Sequence, residues 1–392
     1  VNLLRQKIEQ EIRERGPIPF SRYMALCLYE AKLGYYSRNA QQFGKAGDFY
    51  TSSDVHAVFG RLLARQFEEM WRVLGSPDHI ELIELGAGRG LFAQDVLDWS
   101  EKKFPEFFFA LRYVLIENSP ALRERMQMTL SNHLATGKAT LSVENNDVGP
   151  AALGCPAGRS PAAPPIIVFA NEFFDALPVE VLSANGSLRI DARDGRFVET
   201  WVSASAEELE FLDRYSIHPV AEERLEVQLA AQQFMDRAAH HIHRGFFMAI
   251  DYGYTREEQL AGRHRGTVKA IRQHSIGGNP YEAPGEQDIT ADVNFTALAA
   301  AAEKHGMQTH RLVTQSQFLM GIGEANQFAD AFEECRLPQE RAKVAMQLKH
   351  LVTPAGMGES FHVLIAHKGI ETEKASALAG LNFGSKQTRH ST

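Results

Sequence analysis

Ile80-Glu81-Leu82-Ile83-Glu84-Leu85-Gly86-Ala87-Gly88-Arg89-Gly90 is the stretch on which the fold turns. Its first half has the apolar composition of a short strand. Its second half is a glycine turn that opens a helix running towards Ser100. Glycine lets the backbone bend sharply and approach a ligand with no Cβ in the way. The N-terminus of the following helix supplies unpaired N–H groups that suit an anionic or polar ligand. The spacing is GxGxG. A dinucleotide fingerprint would place a further glycine at position 91, where this chain has Leu91.

Outward from this loop, strands alternate with helices. Leu111 to Glu117 reads as a second strand, and Ser119 caps a helix to about Asn132. Ala139 to Glu144 is a weaker third strand. Ile166-Ile167-Val168-Phe169-Ala170 is a wholly apolar fourth, and Gly245 to Asp251 a fifth. Apolar strands in this alternation predict an α/β fold with a parallel sheet covered on both faces. Glu117, followed by Asn118, ends the second strand, where a carboxylate can accept both ribose hydroxyls of an adenosine. Glu84, just ahead of the glycines, suits S-adenosylmethionine, with NAD as the second choice. Gly86, Ala87, Gly88 and Gly90 would cradle the cofactor. The competing reading is a glycine turn that only packs helix on sheet.

The fourth strand runs into Asn171-Glu172-Phe173-Phe174-Asp175-Ala176-Leu177-Pro178. Ligands of open α/β sheets sit beyond the carboxyl ends of the strands. Asn171, Glu172 and Asp175 are therefore expected to face the reactive end of a bound cofactor, the alternative for Asp175 being a helix N-cap. Asp251 either faces the same cleft or caps a turn. His274, in a long loop, is a candidate general base or a surface histidine. His240-His241-Ile242-His243 lacks the acids of a metal site and reads as a solvated helix end, so no metal is expected. Tyr35 and Tyr36 after Gly34 either close over the cofactor or belong to the core.

The chain has 392 residues, 44% of them hydrophobic and 23% charged, enough for about two or three domains. Its formal charge of −8 argues against a dedicated nucleic-acid binder. Cys27, Cys155 and Cys335 form no CxxC pair, so neither a disulfide framework nor a structural zinc is expected. No run of about 18 apolar residues predicts a membrane span. Val1 to Gly16 mixes acids with bases and lacks a signal-peptide core, so a cytoplasmic location is expected. Residues 1–75 are read as an N-terminal helical cap without strands. Residues 76–178 form the first part of the core, and 179–244 an inserted subdomain whose hairpins turn at Asn185-Gly186 and Asp194-Gly195. Residues 245–368 are the second part, with a long loop over 255–290, and 369–392 a disordered tail. The inserted hairpins are read as a dimer contact, giving a homodimer, or as a substrate platform.

Taken together, Gly34-Tyr35-Tyr36, Gly47-Asp48-Phe49-Tyr50-Thr51-Ser52, the Glu84 to Gly90 loop, Asn171 to Pro178, Asp251-Tyr252-Gly253, Arg265-Gly266-Thr267 and Pro284 to Ala291 look like one family. The chain resembles the MidA-like protein arginine methyltransferases, whose mitochondrial members are assembly factors of respiratory complex I. The resemblance runs from about Gly16 to Lys368. It implies a class I, Rossmann-like methyltransferase core with a mostly parallel seven-stranded sheet, using S-adenosylmethionine. Its implied substrate is a protein arginine, symmetrically dimethylated, on a complex I subunit in mitochondrial members. On this reading Gly34, Asp48 and Thr51 come from the cap onto the cofactor, and Glu172 and Asp175 grip the guanidinium. A small-molecule O- or N-methyltransferase and a non-catalytic assembly chaperone are the competing functions.

Overall fold

In a computed structural model, residues 2–38, 57–142, 164–272, 275–276, 278–324 and 326–383 are described. Strand β1 is Ile18–Pro19 and β2 is Ile80–Leu85. Strands β3, β4 and β5 are Leu111–Ile116, Ala139–Ser142 and Ile166–Asn171. Strands β6 to β9 are Glu180–Ser183, Gly186–Arg193, Arg196–Val202 and Leu225–Val227. Strand β10 is Gly245–Tyr254, and β11, β12 and β13 are Lys269–Arg272, Ser275–Ile276 and Asp288–Thr290. Strands β14 to β17 are Val293–Asn294, Gln308–Thr309, Val313–Thr314 and Phe361–Lys368.

The main sheet runs β15-β17-β10-β5-β2-β3-β4, with β14 beside β10 and β16 beside β17. Among the described residues it therefore has nine strands, two more than expected, because the two short strands β14 and β16 join it off the main path. β4, β3, β2, β5 and β10 are parallel neighbours, and β17 is antiparallel to β10. Strand order reverses between β2 and β5, a switch point that leaves a crevice at their carboxyl ends.

Both faces of this sheet are apolar, as a doubly covered sheet requires. Leu82, Phe169 and Met248 point into one core, and Ile83, Val168 and Phe247 into the other. The first core is closed by the helices Ala57–Val73 and Leu91–Lys103, where Phe92 stacks on Phe169 at 4.7 Å between centroids. Such ring pairs contribute about 0.5–1.5 kcal/mol beyond area burial. The second core is closed by the helices Leu229–His241 and Phe295–Lys304. Helices 57–73 and 229–241 thus cover the main sheet, and the expected cap and insertion are each shorter than 1–75 and 179–244.

A second sheet, β1-β7-β6-β9 with β8 on β7, packs under the helices Leu3–Arg15 and Phe20–Tyr29. The N-terminal segment does contain a strand. β1 pairs with β7 across about 170 residues of sequence, a contact with no local signal. Asp194 and Gly195 both have positive φ, as a type I′ hairpin turn demands. The 255–290 loop is largely structured: β11 pairs with β12 and β13. Nor does the tail begin at 369. The short helix Thr372–Ser376 buries Ala375, Leu378 is buried, and the Gly380 N–H donates to Gln66 Oε1 at 3.0 Å.

Candidate functional site

The glycine loop leaves β2 and crosses the crevice with Gly86, Gly88 and Gly90 at φ of 65°, 56° and 75°. Each glycine answers a different demand. A Cβ on Gly86 would stand 3.1 Å from the Phe173 ring, and one on Gly90 would strike Met126 and Leu130. A Cβ on Gly88 meets nothing within 4 Å among the described residues. The first and third glycines allow packing, and the second meets no described atom. The loop is pinned to β3: the Ala87 N–H donates to the Ile116 carbonyl at 3.1 Å, and the Gly88 N–H to Glu117 Oε2 at 2.9 Å.

Glu117 accepts a second amide, Ser119 N–H to Oε1 at 2.8 Å, and burial raises its carboxyl above the ordinary range. Each carboxylate oxygen accepts about two hydrogen bonds. Backbone N–H groups hold both carboxylate oxygens beside the loop. Asn118 beside it is exposed, and its carbonyl receives Arg123. The residues present fit an adenosyl cofactor: a turn whose middle glycine has no described atom near its Cβ position, a carboxylate fixed beside it, and Asn171 Oδ1 at the end of β5, buried and accepting no hydrogen bond among the described residues.

Glu84 lies beneath the loop rather than in it. It is buried, accepts Tyr113 Oη at 2.8 Å, and burial pushes its carboxyl up to about 8 from an ordinary 4.5. A raised native value stabilises the fold in full below about pH 4.5, and that contribution is lost as pH rises through about 8. Glu84→Gln keeps an acceptor for Tyr113 and removes the titration. Its stability relative to wild type should improve by about 1.4 kcal/mol per pH unit within that window. Urea midpoints at pH 5, 7 and 9 check this; parallel curves would refute it.

The Asn171 to Pro178 segment is held by Asp251. The N–H groups of Phe173, Phe174 and Asp175 converge on its Oδ2 at 3.2, 2.9 and 3.3 Å, and Tyr252 N–H reaches Oδ1 at 2.9 Å. Of the two readings of Asp251, turn capping is what the geometry supports. The segment bends through Glu172, a non-glycine residue at φ 50°, and left-handed strain of this kind gathers at functional sites. Asn171 Nδ2 donates to Glu172 Oε1 at 3.2 Å. Glu172 is half-buried, whereas Asp175 is 3% exposed and not an open carboxylate. Burial, then the charges of Asp251 and Asp288, raise Asp175 well above the usual range. Burial, then the charge of Glu172, raises Asp251 as well, so the pair resists carrying two charges even though four amides favour the Asp251 anion. Phe173 packs on Gly86 and Phe234, and Phe174 is buried, so these rings support the loop.

The N-terminal helices reach the same cluster of acids. Tyr29 Oη donates to the Ala176 carbonyl at 2.7 Å, and Tyr36 Oη to Asp288 Oδ1 at 2.9 Å. Asp292, close by, binds Lys269 at 2.8 Å and His264 at 3.1 Å. Gly34 sits where a Cβ would strike backbone at Leu28 and Glu30, so it serves the bend between the two helices. Asp48, Thr51 and His274 lie outside the described residues. Sequence reading left Asp288, Tyr29 and Tyr113 without a role and Asp251 with an ambiguous one. For Asp251 a signal existed: a lone acid after five apolar strand residues, the same pattern that singled out Asn171.

The sequence model of a family described as S-adenosyl-L-methionine-dependent methyltransferase matches residues 62–313. A Drosophila melanogaster relative named "Protein arginine methyltransferase NDUFAF7 homolog, mitochondrial" is 30% identical over 94% of this chain and 85% of its own. Human protein arginine methyltransferase NDUFAF7, mitochondrial, is 25% identical over 92% and 83%. A Burkholderia thailandensis crystal structure bound to S-adenosyl-homocysteine covers 96% of this chain and 94% of its own, with a TM-score of 0.79 at 28% identity. The relatives' mitochondrial labels overturn the expected cytoplasmic location. The physical reason lies in the helix Leu3–Arg15, which buries Leu4, Ile8 and Ile12. Its mixed charge belongs to a packed helix and carries no address.

Proposed function

The chain belongs to the S-adenosyl-L-methionine-dependent methyltransferase family, and on that premise we propose that it methylates an arginine side chain of a protein. The observation that carries this reading is the acidic cluster beyond β5 and β10. Asp175, Asp251 and Asp288 are buried there, with half-buried Glu172 at its edge. A guanidinium is a planar, permanently charged fork of donors, and carboxylates grip it with charge-assisted bonds. A neutral hydroxyl acceptor would gain nothing from such a surround.

When bound, S-adenosylmethionine supplies a methyl group already activated on a sulfonium. The chain's own work is therefore alignment and charge. Glu117 and the Gly88 turn would hold the adenosine end. Glu172 is the carboxylate within reach of the acceptor: its oxygens orient the guanidinium and receive the proton given up on transfer. Asp251 keeps Glu172 in place through the amides that follow it. The N-terminal helices, bonded to this cluster by Tyr29 and Tyr36, exclude water from it.

The resemblance directs the search for the acceptor to a complex I subunit, with symmetric dimethylarginine as product. Mass spectrometry of host proteins with and without this chain tests both points. For the site itself, Glu172→Gln should bind S-adenosylhomocysteine with wild-type affinity by calorimetry while kcat/KM on an arginine substrate falls about 100-fold, roughly 2.7 kcal/mol. Methylation at the parent rate would remove Glu172 from the reaction.

A further inference from the structure

We infer that Tyr252 positions the acceptor: its ring is the aromatic wall on which the guanidinium lies, across the crevice from Glu172. This rests on the arginine reading above. In Asp251-Tyr252-Gly253 the acid caps the turn, and the tyrosine lies next along β10. Backbone register places it. β5 and β10 run side by side up to the rung of Asn171 and Ile250, where the Glu172 N–H donates to the Ile250 carbonyl at 2.9 Å. Tyr252 is two residues further, about 7 Å along the strand. There β5 has ended, and β14 joins β10 only from Gly253. Tyr252 therefore stands at the gap in the sheet beyond β5, with its other flank paired to Phe361.

Residues two apart on a strand share a face. Met248 and Ile250 point into the first core, and Tyr252 packs against the same core. Phe169 points into it as well, so Asn171, two residues on, lies on the same face of the sheet as Tyr252. Asn171 Nδ2 in turn donates to Glu172 Oε1 at 3.2 Å. The ring of Tyr252 and the carboxylate of Glu172 thus border one crevice from neighbouring strand ends.

Tyr252 is half-buried, and Phe361 packs on it with ring centroids 3.8 Å apart, which holds the ring in place. Lys269 Nζ stands over the ring at 6.0 Å, the outer limit of a cation–π contact. Asp292 Oδ1 keeps that ammonium at 2.8 Å. The ring therefore already meets a cation, but loosely, and among the described residues no cation lies closer to it. A guanidinium makes two kinds of contact at right angles: its flat face stacks on an aromatic ring, and its edge donates to carboxylates. The two strand ends supply one each, Tyr252 for the face and Glu172 for the edge. An acceptor held in both directions keeps one nitrogen aimed for in-line displacement.

The test uses the full chain, S-adenosylhomocysteine release as the assay, and a pool of peptides with arginine between randomised flanks. Tyr252→Leu should lower the rate at low pool concentration at least tenfold, about 1.4 kcal/mol. The rate at saturating pool should change less than threefold, and S-adenosylhomocysteine affinity by calorimetry should not change. Tyr252→Phe keeps the ring and should stay within threefold of wild type throughout. Phenylalanines bearing one, two and three ring fluorines at this position keep the shape but drain the negative face of the ring, so the rate at low pool concentration should fall stepwise. A parent rate in Tyr252→Leu, a flat fluorine series, or an equal loss of cofactor affinity would overturn the assignment. Should Tyr252→Leu fail to fold, the fluorine series carries the test alone, because it preserves the packing on Phe361. Wild-type protein that binds S-adenosylhomocysteine yet methylates no peptide of the pool would instead strike the arginine reading, and this inference with it.

Discussion

Gly88→Val yields a folded protein that no longer binds S-adenosylhomocysteine. Gly88 sits at φ 56°, where an L residue costs about 1–2 kcal/mol, somewhat more when β-branched. No atom of the described residues lies within 4 Å of the new Cβ, so among them the fold bears only that backbone cost. On the proposed site, the space the valine enters is the space beside Glu117 that the adenosyl group would need. Affinity by calorimetry should fall more than 100-fold, about 2.7 kcal/mol or more. Gly90→Val is the internal contrast. Its side chain would be driven into Met126 and Leu130, so it should cost stability first. Undiminished affinity in Gly88→Val would remove the glycine loop from the cofactor site.

Asp251→Ala should be the most damaging single change at the acceptor end. It takes the acceptor from four backbone amides at once. Each buried, unsatisfied donor costs about 1–3 kcal/mol, less whatever entering water recovers. Removing the charge also relieves repulsion with Glu172 and Asp175, but that gain opposes several lost bonds and loses. A net destabilisation of about 3–5 kcal/mol in urea denaturation is expected, the range for breaking a buried charge from its partners. Activity should fall more than 1000-fold, because the strained turn at Glu172 loses the anchor that holds it. A stability loss below about 1 kcal/mol would mean that the Asn171 to Pro178 segment is held by something else.

These two positions also show what could be read in advance. Gly88 was legible because strand, glycines and helix follow one another within eleven residues, and each has a local signature. Asp251 was visible only as a polar residue in an apolar strand. Its role depends on amides about 75 residues away. Tyr36 and Asp288 each lie in a motif that the sequence marked out, but nothing in it pairs them. They lie 252 residues apart, and their hydrogen bond exists only once the N-terminal helices have docked against β13. Asp175 misled for the opposite reason. The order of residues placed it correctly beside the crevice but could not tell how deeply it is buried.

Order along the chain was enough to determine the α/β class and the parallel strands, and to mark out the glycine loop and the acid that follows β3 as candidates. Those features follow from periodicity and from backbone geometry within a few residues. The tertiary structure alone decided which helices cover the main sheet, how the N-terminal segment enters a second sheet, and which carboxylates share one cluster. Those depend on burial and on contacts between distant segments. A buried carboxylate takes its proton and its partners from the whole surround, which no local stretch of sequence contains.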